Sequence, residues 1–260
     1  MDGLNPAFDA TLLSRIEDAG LNASAPPQQR WLDGWLVRFS AGKAKRARCV
    51  NAVAAGRLPV SERLAACAQV FDDAGLPLIV RITPFTLPSD LDALLDEQGL
   101  RRFDDTRVMV LADLPGAPPD LAPGLTLRPI GLEPFAHRVG GFRRSPLAQR
   151  QAHAERLLNA PVPFIAFELQ AEGVPVACGQ FGLEGDLVGL YDVYTAEPAR
   201  GRGLARLLCQ HLLAHASERG ARCAYLQVEG DNHAARSVYH RLGFEDGFAY
   251  HYRTRDPAAA

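Results

Sequence analysis

Four glycines constrain this chain more than any other feature. Gly75 and Gly99 close the amphipathic runs "SERLAACAQVFDDAG" and "SDLDALLDEQG". Gly220 and Gly243 close "LARLLCQHLLAHASERG" and "NHAARSVYHRLG". A glycine just past a periodic apolar run is a common helix stop. Corresponding glycines lie 145 and 144 residues apart. A strand-like segment follows each stop: "LPLIVRI" and "TRVMVLA" early, "CAYLQVE" and "FAYHYRT" late. Helix–strand–helix–strand therefore recurs in one register, which predicts an internal duplication. Ser61 is the expected N-cap of the first of these helices.

Between the copies lies "ADLPGAPPDLAPGLTLRP", Ala112 to Pro129, with five prolines and two glycines. Neither a helix nor a central strand accommodates that density. A boundary near Pro118 divides the chain into residues 1–117 and 118–260. In the second part "LTLRPI" reads as a strand, and 132–142 and 147–158 as helices, with Pro146 near the first turn of the second. "VPFIAFELQ" and "VPVACGQFGLE" form a hairpin about Glu172-Gly173. "LVGLYDVYT" is a further strand. In the first part "GWLVRFS" and "RCVNAVAA" are additional strands. The class is α+β, with a mixed α/β sheet.

At 260 residues and 47% hydrophobic content, the chain is large enough for two cores. Its formal net charge of −2 gives no basic field for nucleic acid. The five cysteines show no zinc spacing and fall mostly in apolar segments, as expected of free thiols in a reducing cytoplasm. The start, "MDGLNPAFDATLL", lacks a basic targeting segment, and no apolar run approaches a membrane span. The expectation is a soluble cytoplasmic protein. No metal-binding spacing occurs; H-E-x-x-H is absent.

The most informative stretch is "TAEPARGRGLARLL", which follows a strand and opens a helix. Helix starts expose unpaired N–H groups and the positive end of the dipole, and so bind phosphate oxygens. Gly203 has no Cβ to hold a phosphate away, and Arg200 and Arg202 supply charge. A Walker loop is excluded, because its Lys-Ser/Thr pair is missing. A dinucleotide fingerprint lacks its third glycine, with Arg206 in that place, although Glu229 ends the next strand where a ribose-binding acid would stand. Too little chain follows for further βαβ units.

The remaining phosphate motif is R/Q-x-x-G-x-G/A, matched here by Arg200-Gly201-Arg202-Gly203-Leu204-Ala205. Downstream, "NHAARSVYHRLGF" matches N-x-x-A-x-x-x-Y-x-x-x-G-F at Asn232, Ala235, Tyr239, Gly243 and Phe244. On these two motifs and the element order, residues 125–252 resemble the GNAT N-acetyltransferases. The resemblance implies that fold in the second half and an acetyl-CoA co-substrate. Backbone groups of Val193, Tyr194 and Thr195 would pair with the pantetheine arm in a cleft between two parallel strands. Residues Arg200 to Ala205 would hold the pyrophosphate. Asn232, Ala235 and Tyr239 would line the cofactor from the next helix, and Tyr239 would protonate the leaving thiolate. Asp192 is the first candidate for general base, followed by Glu229 and Glu184. Strand alternation places Asp192 and Tyr191 on opposite faces.

Shifted back by the repeat, the loop falls on "AGRLPV", Ala55 to Val60. Gly203 becomes Leu58, Leu204 becomes Pro59, Tyr239 becomes Leu95 and Asn232 becomes Pro88. The first half therefore resembles a degenerate copy of the same fold that binds no acetyl-CoA. It would cover a sheet edge or shape the acceptor pocket. The acceptor implied is a primary amine on a small molecule, peptide or protein, with no nucleic acid or membrane partner; a homodimer is compatible with the resemblance. Arg143 and Arg144 in "FRRSP" border the expected acceptor site. "GKAKRAR", around Lys43 to Arg48, is read as a solvated hairpin tip or a patch for an anionic partner. Trp31 and Trp35 flank a turn and are read as packing residues. The rival function is a CoA-binding sensor or interaction module without turnover.

Overall fold

In the first half, α1 (Ala10–Ala23) precedes β1 (Gln29–Leu32), β2 (Trp35–Arg38) and β3 (Val50–Asn51). These are followed by α2 (Val60–Asp73), β4 (Val80–Ile82), α3 (Leu91–Glu97) and β5 (Arg101–Leu111). The second half begins with β6 (Leu125–Ile130), α4 (Leu132–Phe142), α5 (Leu147–Leu158), β7 (Phe164–Ala171) and β8 (Val174–Glu184). It continues through β9 (Leu187–Thr195), α6 (Leu204–Ser217), β10 (Cys223–Glu229), α7 (His233–His240) and β11 (Glu245–Thr254). The computed structural model describes residues 3–40 and 44–258. Lys43 of the basic segment lies outside the described residues.

Strands β1 to β11 form one sheet in the order β1-β2-β3-β4-β11-β5-β10-β9-β8-β7-β6. By the repeat register, β4 and β5 correspond to β10 and β11. Yet β5 lies antiparallel against β10, and β11 lies antiparallel against β4. Each half has given its last strand to the other, and the two exchanged strands pair along Val110↔Glu245 to Arg101↔Thr254. The exchange leaves neither β4 nor β10 as an unpaired edge. Val108 and Val110 from β5 share a core with Phe248, Tyr250 and Tyr252 from β11. The division at residues 117 and 118 is proposed as a boundary between sequence repeats; the sheet runs across it.

Helix α6 buries Leu204, Leu208, Leu212 and Leu213 on one sheet face, against Val188, Leu190, Leu226 and Val228. Each buried leucine contributes about 1.5–3 kcal/mol. Helix α2 packs Leu64, Cys67 and Phe71 on Val80 and Ile82 in the first half. Helices α1, α4 and α5 cover the other face through Leu13, Ile16, Phe135, Val139 and Leu157. The four stop glycines all adopt the left-handed conformation, with φ of +64°, +78°, +96° and +93°.

The sequence reading missed α1, which Asp9 caps through Leu12 N–H. Its polar turn residues obscured the apolar spacing of Leu13, Ile16 and Ala19. The N-cap of α2 is Pro59 rather than Ser61, which sits one residue inside the helix. Proline's fixed φ starts the helix there without a side-chain cap. Trp35 is fully buried, whereas Trp31 is exposed. Among the described residues, no helix is long and apolar enough to cross a membrane.

Candidate cofactor and acceptor site

Helix α6 starts from Gly203, which adopts φ +75°, after Gly201 at φ +76°. A Cβ at either glycine would meet nothing within 4 Å. The backbone N–H groups from Gly201 to Arg206 find no acceptor among the described residues. Open amides at a helix start make an anion cradle. Arg202 is exposed and unpaired among the described residues. Arg200 is folded back instead: it donates to Tyr194 Oη at 2.8 Å and to Thr195 O at 3.3 Å. In this conformation only Arg202 of the two expected phosphate arginines points away from protein partners.

The cleft beside the loop arises from a register break. Strands β9 and β10 run parallel and pair only as far as Leu190↔Leu226. Beyond that, β9 stays on β8 but carries a bulge at Asp192, whose φ is +50°. Gly179 opposes the bulge, where a Cβ would come 3.0 Å from Leu212 and 3.2 Å from Val193. The backbone of Val193, Tyr194 and Thr195 therefore has no strand partner on the β10 side. Thr195 Oγ1 is buried with no hydrogen-bond partner. An extended amide-bearing chain entering this gap would complete the edge as an added strand does. These open groups fit the pantetheine and pyrophosphate of acetyl-CoA.

Helix α7 brings three further sequence-predicted residues to the same gap. Asn232 caps it, its Oδ1 accepting from Ala235 N at 3.1 Å, which leaves the amide nitrogen free. Ala235 and Tyr239 pack on the α6 core. The Tyr239 ring meets Phe244 edge-on at 6.0 Å. Its hydroxyl has no hydrogen-bond partner among the described residues. Burial, with Cys209 nearby, pushes its pKa well above the ordinary phenol value. Tyr239 thus keeps its proton at neutral pH.

On the α4–α5 face one expectation from the sequence is corrected. The bulge breaks strand alternation, so Tyr191 and Asp192 share that face. Tyr191 folds back over Gly189 to bond Tyr225 Oη at 2.7 Å. Asp192 Oδ1 accepts from Arg143 at 2.9 Å, and Oδ2 accepts from Gln180 at 2.9 Å. His153 Nε2 lies 3.2 Å from Oδ2. Burial works to raise the Asp192 pKa. The His153 contact and the charges of Arg143, His153 and Arg156 outweigh it and hold the carboxyl well below the usual range. A carboxylate so stabilised accepts a proton poorly. Glu184 is held at the far end of β8 by Asn22 at 2.8 Å. Glu229 stands exposed at the end of β10, without a side-chain partner among the described residues. His153, Gln180 and Arg156 were not singled out from sequence. They carry no motif, and only the bulge aims Asp192 at them.

The corresponding loop of the first half is closed. Gly56 repeats the left-handed turn of Gly201 with φ +73°. The next two amides, of Arg57 and Leu58, donate to Asp33 Oδ2 at 2.8 and 2.7 Å. Pro59 has no amide hydrogen to offer. The gap past β3 and β4 is also bridged, since Leu87 N–H donates to Ala52 O at 2.8 Å.

Residues 133–244 match the model of the Acetyltransferase (GNAT) family. A mycothiol acetyltransferase of Rhodococcus jostii RHA1 is 43% identical over 65 residues, covering 24% of this chain and 21% of the relative. One from Amycolatopsis mediterranei U-32 is 46% identical over 67 residues, covering 25% and 22%. The matched stretch thus spans about a fifth of the length of these curated relatives. Among solved structures, a GCN5-related N-acetyltransferase from Kribbella flavida aligns with a TM-score of 0.69 at 18% identity, over 94% of this chain and 95% of that one. A tandem GNAT protein of the clavulanic acid biosynthesis pathway aligns at TM-score 0.60 and 16% identity, over 76% and 70%. The tandem arrangement of the fold is therefore shared.

Proposed function

We propose, from the premise that residues 133–244 belong to the acetyltransferase (GNAT) family, that this protein transfers an acetyl group from acetyl-CoA to a primary amine in the cytoplasm. The carrying observation is the run of open amides from Gly201 to Arg206 beside the unpaired edge of β9. Acetyl-CoA supplies an activated acyl carbon on a thiolate leaving group; the chain supplies the rest. The loop amides and Arg202 bind the pyrophosphate. Val193, Tyr194 and Thr195 align the pantetheine arm so that the thioester lies at the bulge. Asn232 Nδ2 and Ala235 border the arm from α7. The chain excludes water there by packing Tyr239 and Phe244 on the α6 core.

Tyr239 Oη donates a proton to the departing sulfur. Burial keeps the Tyr239 hydroxyl protonated at neutral pH, so it is present as a donor when the thiolate, whose conjugate acid has a pKa of about 8.5, departs. Glu229, on the same β10 face as Gln227, takes the proton of the attacking amine, directly or through water. The first half binds no acetyl-CoA, because its loop amides already hold Asp33.

The test is amine-dependent release of thiol from acetyl-CoA over a broad amine panel. Tyr239→Phe should lower kcat about 100-fold while acetyl-CoA affinity stays within about twofold. Binding of acetyl-CoA with no thiol release for any amine would instead support a sensor without turnover. Asp192 stays ionised from neutral pH down through the ordinary carboxylate range, so Asp192→Asn should leave the acid side of the kcat/KM profile unmoved. Glu229→Gln should lower kcat much further than Asp192→Asn; the opposite pattern would restore Asp192 as the base.

A further inference from the structure

The basic turn between β2 and β3 belongs to the first half but reaches the second half's site. Arg46 Nη1 donates to Gln227 Oε1 at 2.6 Å and to Tyr250 Oη at 3.2 Å. Gln227 is the first β10 residue past the last pair with β9, so Arg46 stands at the floor of the cleft. Its hydrogen-bond partners are neutral side chains; burial works against its charge, and the phenols of Tyr250, Tyr252 and Tyr191 outweigh that and favour it. From the other side, Arg156 of α5 lies one helical turn beyond His153, whose Nε2 is 3.2 Å from Asp192 Oδ2. Arg156 has no hydrogen bond or ion pair among the described residues. Burial depresses its guanidinium pKa; Asp192 opposes that effect and Arg46 adds to it. The Asp192 carboxylate is instead bonded to Arg143 and Gln180, with His153 Nε2 at 3.2 Å.

Several other half-buried or buried arginines have found acids: Arg81 with Glu17, Arg138 with Glu168, Arg236 with Asp246 and Arg253 with Asp92; Arg48, on the same turn as Arg46, has none among the described residues. Arg38 lacks an acid but spends its donors on Leu21 O, Ser24 Oγ and Gln29 Oε1. Arg46 and Arg156 therefore stand beside the cleft with no acid bonded to either among the described residues. Residues Arg46, Arg156, Gln227 and Asp192 are all half-buried, so the place is open to a ligand. A guanidinium with no bonded acid at a partly dry site marks a place for the opposite charge.

We propose that the acceptor amine carries an anionic oxygen group, a carboxylate or a phosphate, and that Arg46 and Arg156 receive it. The first half thereby completes the acceptor site of the second. The inference rests on the acetyltransferase reading and names its substrate class.

The test uses the full chain with saturating CoA and calorimetric titration of product-like probes. These are N-acetylglycine, N-acetyl-β-alanine and N-acetyl-γ-aminobutyrate, each against its primary amide, and N-acetyl-O-phosphoethanolamine against N-acetylethanolamine. At least one anion should bind about tenfold more tightly than its neutral partner. The carboxylate and phosphate arms decide between the two groups. Arg156→Gln is the deciding variant, since Arg156 makes no bond whose loss would unfold the protein; it should bring the ratio within about twofold, with Arg156→Lys restoring part of it. Arg46→Gln should act likewise, read only if its melting temperature is unchanged. No anion preference in the wild type, or a preference that survives Arg156→Gln, overturns the proposal. Acetyl-CoA titration into the wild type separates the two failures: no binding there defeats the acetyltransferase reading, whereas binding without anion preference defeats only this one.

Discussion

The loops before α2 and α6 occupy the same place in the repeat and share a left-handed glycine, Gly56 or Gly201. They differ in what satisfies their amides. In the first half the Asp33 carboxylate receives the amides of Arg57 and Leu58. In the second, the amides from Gly201 to Arg206 are open. A helix start attracts an anion in both cases. One copy supplies the anion from its own chain and becomes a closed structural corner; the other leaves the position for a ligand. The same contrast appears in the clefts, where Leu87 bridges to Ala52 in one half and β9 remains unpaired in the other. Loss of a binding site in a duplicated fold can thus occur by internal occupation as well as by deletion of a motif.

The comparison can be broken at three points. Gly203→Leu should have the largest effect. It forces a branched side chain into φ +75° and blocks the approach of phosphate. We expect acetyl-CoA affinity to fall by about 3 kcal/mol, roughly 100-fold, by calorimetry. Binding unchanged from the wild type would mean that the open amides hold nothing.

A smaller effect is expected at Asp33, read through its pH dependence. Hydrogen bonds from the Leu58 and Arg57 amides lower the Asp33 pKa, against a smaller opposing effect of burial. A lowered folded value means that the unfolded chain binds the proton more readily. The stabilisation is therefore full above the unfolded value of about 3.9 and is lost as pH falls through the folded value. Thermal midpoints of Asp33→Asn should lie below wild type at neutral pH and converge with it in strong acid. Parallel curves at every pH would show that the carboxylate charge is not what closes the loop.

The smallest effect is expected of Leu58→Gly. It restores the glycine of the active loop, yet Asp33 still fills the amides and Pro59 still lacks one. Calorimetry should detect one acetyl-CoA site per chain, as in the wild type. A second site would mean that Leu58 alone had closed the first half.

Much of the fold was legible because helix stops and apolar periods are local. The strand and helix pattern from Leu125 to Thr254 follows such signals, as does the hairpin at Glu172-Gly173, where both residues have positive φ. The loop at Gly201 and Gly203 was equally local. What the pattern could not carry was contact between distant segments. Asp192 reads as a strand acid beside the thioester or a partner for some nearby arginine; only the bulge opposite Gly179 turns it toward Arg143 and His153. Arg46 reads as a surface charge, and only strand order brings it to Gln227. The exchange of β5 and β11 leaves no trace in the spacing at all, because either pairing satisfies the same alternation.

By itself, then, the sequence determined the duplicated α/β rhythm, the left-handed stops and the phosphate-type helix start, since each depends on backbone conformations that neighbouring residues impose. Tertiary structure alone decided that the halves share one sheet, that Asp33 fills one loop while the other stays open, and that Asp192 meets Arg143, Gln180 and His153. Those outcomes depend on which charges and strand edges meet across more than a hundred residues of chain, and the free energy of such a meeting is set by burial and geometry rather than by local order.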